Sequence, residues 1–181
     1  DAVTAFSPEL VLHQLTDLPD DAARLPEAAA ANARIRTEGT RNLVAAARAA
    51  GAGRLVAQSV AWQIPGDGGR AVAELEGLVL GASGVVLRYG SLYGPGTYYE
   101  NEPPAHPRIH LDECARRTLA ALDAPAGIIE IVEGTLPAVK YLGAASWSPG
   151  RSGRAWQDVS SAGIGQPEPL GGLQELAMDF V

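Results

Sequence analysis

The sequence has few of the features that would place it among disulfide-stabilised, nucleic-acid-binding or membrane proteins. A single cysteine, Cys114, excludes an intramolecular disulfide. Acidic residues outnumber basic ones by 21 to 14, so the surface does not favour phosphate contacts. No apolar run approaches the roughly 18–20 residues of a membrane span, and the acidic start is unlike a signal peptide. We therefore expect a cytoplasmic protein with no nucleic-acid or membrane partner.

The composition is that of a globular protein, and strand-like and helix-like segments alternate along the chain. Hydrophobic residues make up 46% of the 181 residues and charged residues 19%, enough for a folded domain with a buried core. Two apolar runs, residues 54–59 and 85–89, each end in a small or polar cluster, and a helical pattern separates them. This pattern is typical of a parallel sheet, whose sites lie where the strands end.

The remaining chain extends that pattern. Helices are predicted at residues 28–50, 70–80 and 112–122, the last capped by Asp112 with Ala115, Leu119 and Leu122 facing inward. The other segments follow by the same reasoning: strands at 10–14, 55–59, 85–88 and 127–132, and loops at 16–26, 64–69 and 97–107. We expect a core over residues 1–135 and an irregular C-terminal region, 136–181, with a short helix at 173–180.

Three segments in this order carry a family resemblance: RTEGTRNLVAAA at 36–47, AAGAGRLVAQS at 49–59 and LRYGSLYGPGT at 87–97. With IHLDE at 109–113, they resemble the extended short-chain dehydrogenases, the NAD-dependent epimerase/dehydratase family, in an atypical branch. The resemblance implies a three-layer Rossmann-like fold, an oxidoreductase-type activity on a small molecule, and NAD or NADP as cofactor. The region 8–135 carries it.

Two parts of the family pattern have no counterpart in this sequence. The GxxGxxG turn that holds the cofactor pyrophosphate is absent, and residues 8–15 match the family's fourth strand, so its first three would be missing. The glycines at 66–69 are interpreted as a plain turn. The tyrosine and lysine of the family's YxxxK pair would fall near Gly68 and Val72, and neither of these transfers a proton.

The chain is also shorter than the family pattern at 64–70 and 98–108, where the family carries substrate loops. Either the protein is naturally reduced, or the sequence is a fragment or has segments left out. Two functions follow: an epimerase/dehydratase-like enzyme with degenerate redox machinery, or a non-redox binding or assembly module. The edge of the 8–15 strand would lack a partner in both cases, so we expect a homo-oligomer or a partner chain at that edge.

Candidate site residues cluster at the two strand ends. Ser59 is the candidate catalytic residue, because it matches the serine or threonine with which the family positions a substrate; a hydroxyl that only caps the turn is the alternative. The resemblance places Gln58, Ser59 and Tyr89 near a cofactor. Substrate-binding candidates are Trp62, Tyr89 and Tyr93, although Tyr89 and Tyr93 also fit an aromatic anchor for the Gly-Pro-Gly turn.

Histidines near acidic residues and a cysteine could bind a metal ion, but their spacing in this sequence does not favour a metal site. His110 lies close to Asp112, Glu113 and Cys114, yet this order matches no zinc-binding pattern. His13 lies within an apolar strand and is predicted to be a hydrogen-bonded core residue. Arg34, Arg36, Arg41 and Arg48 are interpreted as the solvated edge of their helix. We expect no metal site.

Overall fold

The computed structural model describes residues 2–134 and 139–140, and its centre is a five-stranded sheet in the order β1-β2-β3-β6-β7. The first four strands run parallel and β7 is antiparallel to β6. The strands are β1 Leu10–His13, β2 Arg54–Val60, β3 Val85–Tyr89, β4 Ser91–Tyr93, β5 Arg108–His110, β6 Gly127–Ile131 and β7 Val139–Lys140. The helices are α1 Ala2–Phe6, α2 Leu25–Arg34, α3 Thr40–Ala49, α4 Gly66–Gly81 and α5 Leu111–Ala121.

Helices cover the sheet on both faces. One core cluster joins α3 and α4 to the sheet through residues such as Val44, Ala47 and Val79. A second cluster, with Leu87 and Ile129, packs the opposite face against α5. Because helices cover both faces, the central strands β2 and β3 are buried along almost their whole length. The predicted three-layer Rossmann-like α/β fold is confirmed.

A π-helical segment, Ile35–Gly39, connects α2 to α3. The helix therefore runs on from residue 25 to residue 49, although its hydrogen-bond pattern changes in the middle. The predicted loop at 16–26 was too long by two residues, because the helix begins at Leu25. Pro26 lies in its first turn, where the backbone N–H that proline lacks would have no partner within the helix. π-Helical turns are rare and occur frequently at functional sites.

The predicted turn at 64–69 is wrong, because α4 already begins at Gly66. Pro65 provides an extended N-cap, and the glycines that follow form the first helical turn. A Cβ at Gly69 would collide with the carbonyl oxygen of Ile64, so close packing of the loop against the helix accounts for the glycine. Glycine here serves close approach and does not mark a break in the helix.

Helix α5 differs from the prediction in its cap and in its inward face. His110 is the N-cap, its Nδ1 accepting from the backbone N–H of Asp112 at 3.3 Å. The predicted inward residues Ala115 and Leu119 are exposed, and Leu122 is half-buried. Cys114, Thr118 and Ala121 form the buried stripe instead, one helical turn apart.

The structure describes two residues of the C-terminal region that was predicted to be irregular. Residues 139–140 pair with β6. The Ser/Gly-rich stretch at 146–165 and the helix predicted at 173–180 lie outside the described residues. No helix in the described part of the chain combines the length and apolarity needed to cross a membrane.

Strand β1 is an edge strand of this sheet, with no described strand on its outer side. Its Leu12 is 41% exposed, Leu15 just after the strand is 63% exposed, and Phe6 at the end of α1 is 81% exposed. An unpaired edge with apolar side chains favours pairing with another chain.

We expect the chain to self-associate through β1. Size-exclusion chromatography with light scattering at micromolar concentration should give a dimer or larger species. Leu12→Lys should shift it toward the monomer, because a charge on an edge strand disfavours strand pairing. A wild-type chain that remains monomeric under these conditions contradicts the prediction.

Candidate functional site

A cavity of about 840 Å³ opens at the carboxyl ends of the central strands. We call it the strand-end cavity. The ends of β2 and β3 form its floor, and the loop after β1 and the segment 96–98 form its walls. The sequence-predicted residues Gln58, Ser59, Trp62 and Tyr89 all line it. Ligands of open parallel sheets bind at this end of the strands.

Ser59 is held in a buried hydrogen-bond network at the floor of this cavity. Its Oγ donates to Oε1 of Glu76 on α4 at 2.6 Å. Arg88 of β3, the sheet neighbour of Ser59, donates from Nε and Nη2 to the two carboxylate oxygens at 2.8 and 2.6 Å. This bidentate bond raises the pKa of the Arg88 guanidinium. Three elements are thereby tied together behind the cavity.

The network determines what Ser59 offers to a ligand. Its proton goes to Glu76, so towards any ligand that reaches it the Ser59 oxygen can only accept a hydrogen bond; the residue is 4% exposed. No described histidine or lysine contacts it. Ser59 is therefore equipped to position a ligand hydroxyl or N–H group, and it has no base that would make it a nucleophile.

Tyr89 contributes to the wall of the cavity, and its hydroxyl is already occupied. The hydroxyl accepts from Nε2 of Gln14 at 3.1 Å and lies 2.7 Å from Oγ1 of Thr118. Burial raises the pKa of Tyr89. A phenol that is buried and doubly hydrogen-bonded is a rigid surface and a poor proton donor.

Tyr93 lies apart from the other candidates. It lines a second, smaller cavity of about 190 Å³ together with Tyr99 and His110. Its hydroxyl donates to Glu133, which also binds Arg108 at 2.9 Å, and these two partners lower the pKa of the Glu133 carboxyl. The structure thus brings Tyr89 to the strand-end cavity and Tyr93 to a different surface.

Arg36 and Tyr98 are two of the cavity residues that the sequence did not indicate as site residues. Arg36 was interpreted as a solvated arginine, yet it is half-buried, lines the strand-end cavity, and has a pKa lowered by burial. Tyr98, a loop tyrosine with no predicted role, lines the same cavity and donates its hydroxyl to the carbonyl of Pro19. The change to π-helical geometry at residue 35 has no clear signature in the sequence, and it is this segment that carries Arg36.

The predicted role of His13 is confirmed, since it is buried and its Nε2 lies 2.9 Å from Oγ1 of Thr40. Its Nδ1 accepts from the backbone N–H of Leu15, so Nε2 carries the proton of a neutral ring. Among the described residues, no group of three histidine, cysteine or acidic side chains is arranged for a metal ion. Burial raises the pKa of Cys114 to about 11, which keeps it a thiol.

The fold has solved relatives. The UDP-glucose 4-epimerase of Thermus thermophilus, solved with NAD, superposes with a TM-score of 0.58 at 19% identity, covering 76% of this chain and 60% of that one. The dTDP-glucose 4,6-dehydratase of Streptomyces venezuelae, also solved with NAD, gives 0.58 at 16% identity, covering 76% and 56%. The chain has the extended short-chain dehydrogenase fold. The resemblance carried by the motifs is confirmed at this level.

A curated Streptomyces protein, a 3-diazoavenalumate denitrifying reductase, is 39% identical over 185 residues. The match takes in 78% of this chain and 61% of the reductase, so this chain spans about three fifths of the length of that relative. No protein-family profile matches the chain.

The length of this alignment is informative. It exceeds the 181 residues of the whole chain while including only part of it. The reductase therefore has segments inside the matched region that this chain lacks.

Proposed function

We propose that this chain forms the small-molecule side of an NAD-dependent epimerase/dehydratase- or reductase-like enzyme. The observation that carries the proposal is the strand-end cavity, in which Ser59, Gln58 and Trp62 meet at the carboxyl ends of the parallel strands. A positioned hydroxyl and aromatic walls suit a small organic ligand with a polar group. Relatives that are reductases, epimerases or dehydratases by name support this class of activity.

The described residues fit the cofactor only in part. Gln58, Ser59 and Tyr89 could line the nicotinamide end, where a bound NAD-type cofactor would supply hydride chemistry. The pyrophosphate needs a helix start with free N–H groups and no competing acid. The first turns of α2, α4 and α5 carry Glu27, Asp67 and the pair Asp112–Glu113 respectively. None of these described helix starts suits a pyrophosphate.

This mismatch supports a second candidate function, a pocket that binds a small molecule without redox chemistry of its own. Gly68 and Val72, the positions assigned to the YxxxK pair, lie in the first two turns of α4 and carry no titratable group. Both candidate functions require that the strand-end cavity binds a small molecule.

Titration with NADH and NADPH by calorimetry tests the cofactor part. We expect no saturation at concentrations up to about 1 mM, because the starts of α2, α4 and α5 each carry an acidic residue that competes with a pyrophosphate. Binding in the micromolar range would contradict the conclusion that the described residues lack a pyrophosphate site, and it would favour the redox enzyme.

Ligand-observed NMR with a panel of small aromatic alcohols and acids tests the cavity itself. Thr16 is an exposed cavity-lining residue, and its neighbour Leu15 is exposed and does not line the cavity. Thr16→Trp should fill the mouth and abolish binding, whereas the matched control Leu15→Trp should leave it unchanged. Equal effects of both substitutions would contradict the proposed site.

A further inference from the structure

Arg36 is a cation in the strand-end cavity to which the proposed function has assigned no role. It lies on the π-helical segment between α2 and α3, and its guanidinium makes no hydrogen bond or ion pair with the described part of the chain. The side chain is half-buried, and this burial lowers the pKa of the guanidinium. A partly desolvated guanidinium without a counter-ion favours an anion that arrives from solution.

The other charges of this cavity lie at its rim. Asp20 and Asp21 line the cavity from exposed positions, and Asp21 is already engaged, accepting from the backbone N–H of Ala23 at 2.9 Å. Neither forms an ion pair with Arg36. An anion at Arg36 therefore lies inside an acidic rim, which penalises a doubly charged group more than a singly charged one.

The neighbouring surfaces indicate what the anion is attached to. Trp62, Tyr89 and Tyr98 line the same cavity and offer aromatic surface. Flat conjugated molecules stack well on such surfaces. A guanidinium fork matches a carboxylate with two parallel hydrogen bonds.

We infer that Arg36 anchors the carboxylate of an aromatic or conjugated acid in the strand-end cavity. This inference rests on the proposed function, because it names the ligand class of the same cavity. The carboxylate contacts Arg36, and the conjugated body lies along the aromatic walls. A donor group on the ligand reaches the oxygen of Ser59.

The test uses cinnamate and its neutral counterpart cinnamamide as probes, with affinities measured by calorimetry. Wild type should prefer cinnamate. Arg36→Gln should weaken cinnamate about ten- to a hundredfold, the range for a charge-assisted hydrogen bond, and leave cinnamamide within about twofold. The affinity of Arg36→Lys for cinnamate should lie between those of wild type and Arg36→Gln, because lysine keeps the charge but cannot form two parallel hydrogen bonds. The matched control is Arg34→Gln, an exposed arginine on the same helix that does not line the cavity.

Each contrary outcome has a distinct meaning. Binding of both probes that Arg36→Gln does not change overturns the anchor and leaves the cavity proposal standing. Failure of both probes to bind wild type overturns the aromatic-acid inference, and the ligand panel with Thr16→Trp then decides separately whether the cavity binds a small molecule. Displacement of cinnamate by equimolar inorganic phosphate would assign Arg36 to a phosphate-bearing ligand and overturn the carboxylate inference.

Discussion

Glu76→Gln should destabilise the fold by about 3 kcal/mol, the low end of the range for breaking a buried ion pair. The substitution keeps the shape of the side chain and removes its charge. Arg88, two thirds buried, would lose its bidentate counter-ion, and Ser59 would lose a charged acceptor. Urea unfolding followed by circular dichroism gives the free energy of unfolding.

Two further variants separate the ion pair from general damage to α4. Glu74→Gln removes an exposed pair with Arg41, whose side chains are 39% and 57% exposed, and should change stability by less than about 0.5 kcal/mol. The double variant Glu76→Met with Arg88→Met should recover part of the loss, because no charge is left without a partner. A loss below about 1 kcal/mol for Glu76→Gln would mean that water already solvates the pair.

Gly90→Ala should cost about 2–3 kcal/mol through overpacking. A Cβ at Gly90 would lie 2.7 Å from the backbone N, Cα and C of Arg108, and backbone atoms cannot rotate away. Gly90 also donates its N–H to the carbonyl of Ile131 at 3.1 Å and lines the strand-end cavity. We therefore expect a fall in the unfolding midpoint together with weaker binding of any cavity ligand.

Gly77→Ala is the matched control and should act in the opposite direction. Gly77 lies inside α4, and a Cβ at this position would meet nothing within 4 Å. Alanine should stabilise the helix by about 0.5–1 kcal/mol, because it loses less backbone entropy than glycine. If both substitutions destabilise equally, the contact with Arg108 is not the cause at Gly90.

The strands and the position of the cavity followed from local chemistry. The short apolar runs at 55–57 and 85–87, each followed by polar residues, are typical of strands covered on both faces. Once these strands are parallel, their carboxyl ends must lie side by side, which brings Gln58 and Tyr89 to one place. His13 could be assigned to the core because an apolar strand surrounds it.

Other parts depended on tertiary contacts that no local pattern encodes. The start of α4 depends on the fit of its glycines against Ile64, and composition alone indicated a turn. Leu119 looked like an inward residue, but the orientation of α5 on the sheet buries Cys114 and Thr118 instead. The sequence marks Glu76 only as a helix residue, because its partners Ser59 and Arg88 lie on strands that the fold brings next to it.

The direction of the Ser59 proton has a consequence for the oxidation level of whatever occupies the cavity. An alcohol can donate to the serine oxygen, whereas the corresponding ketone has no proton to give and would face lone pairs with lone pairs. For a ligand that reaches Ser59, we therefore expect the alcohol to bind more tightly than the corresponding ketone, two molecules that differ by one pair of hydrogens.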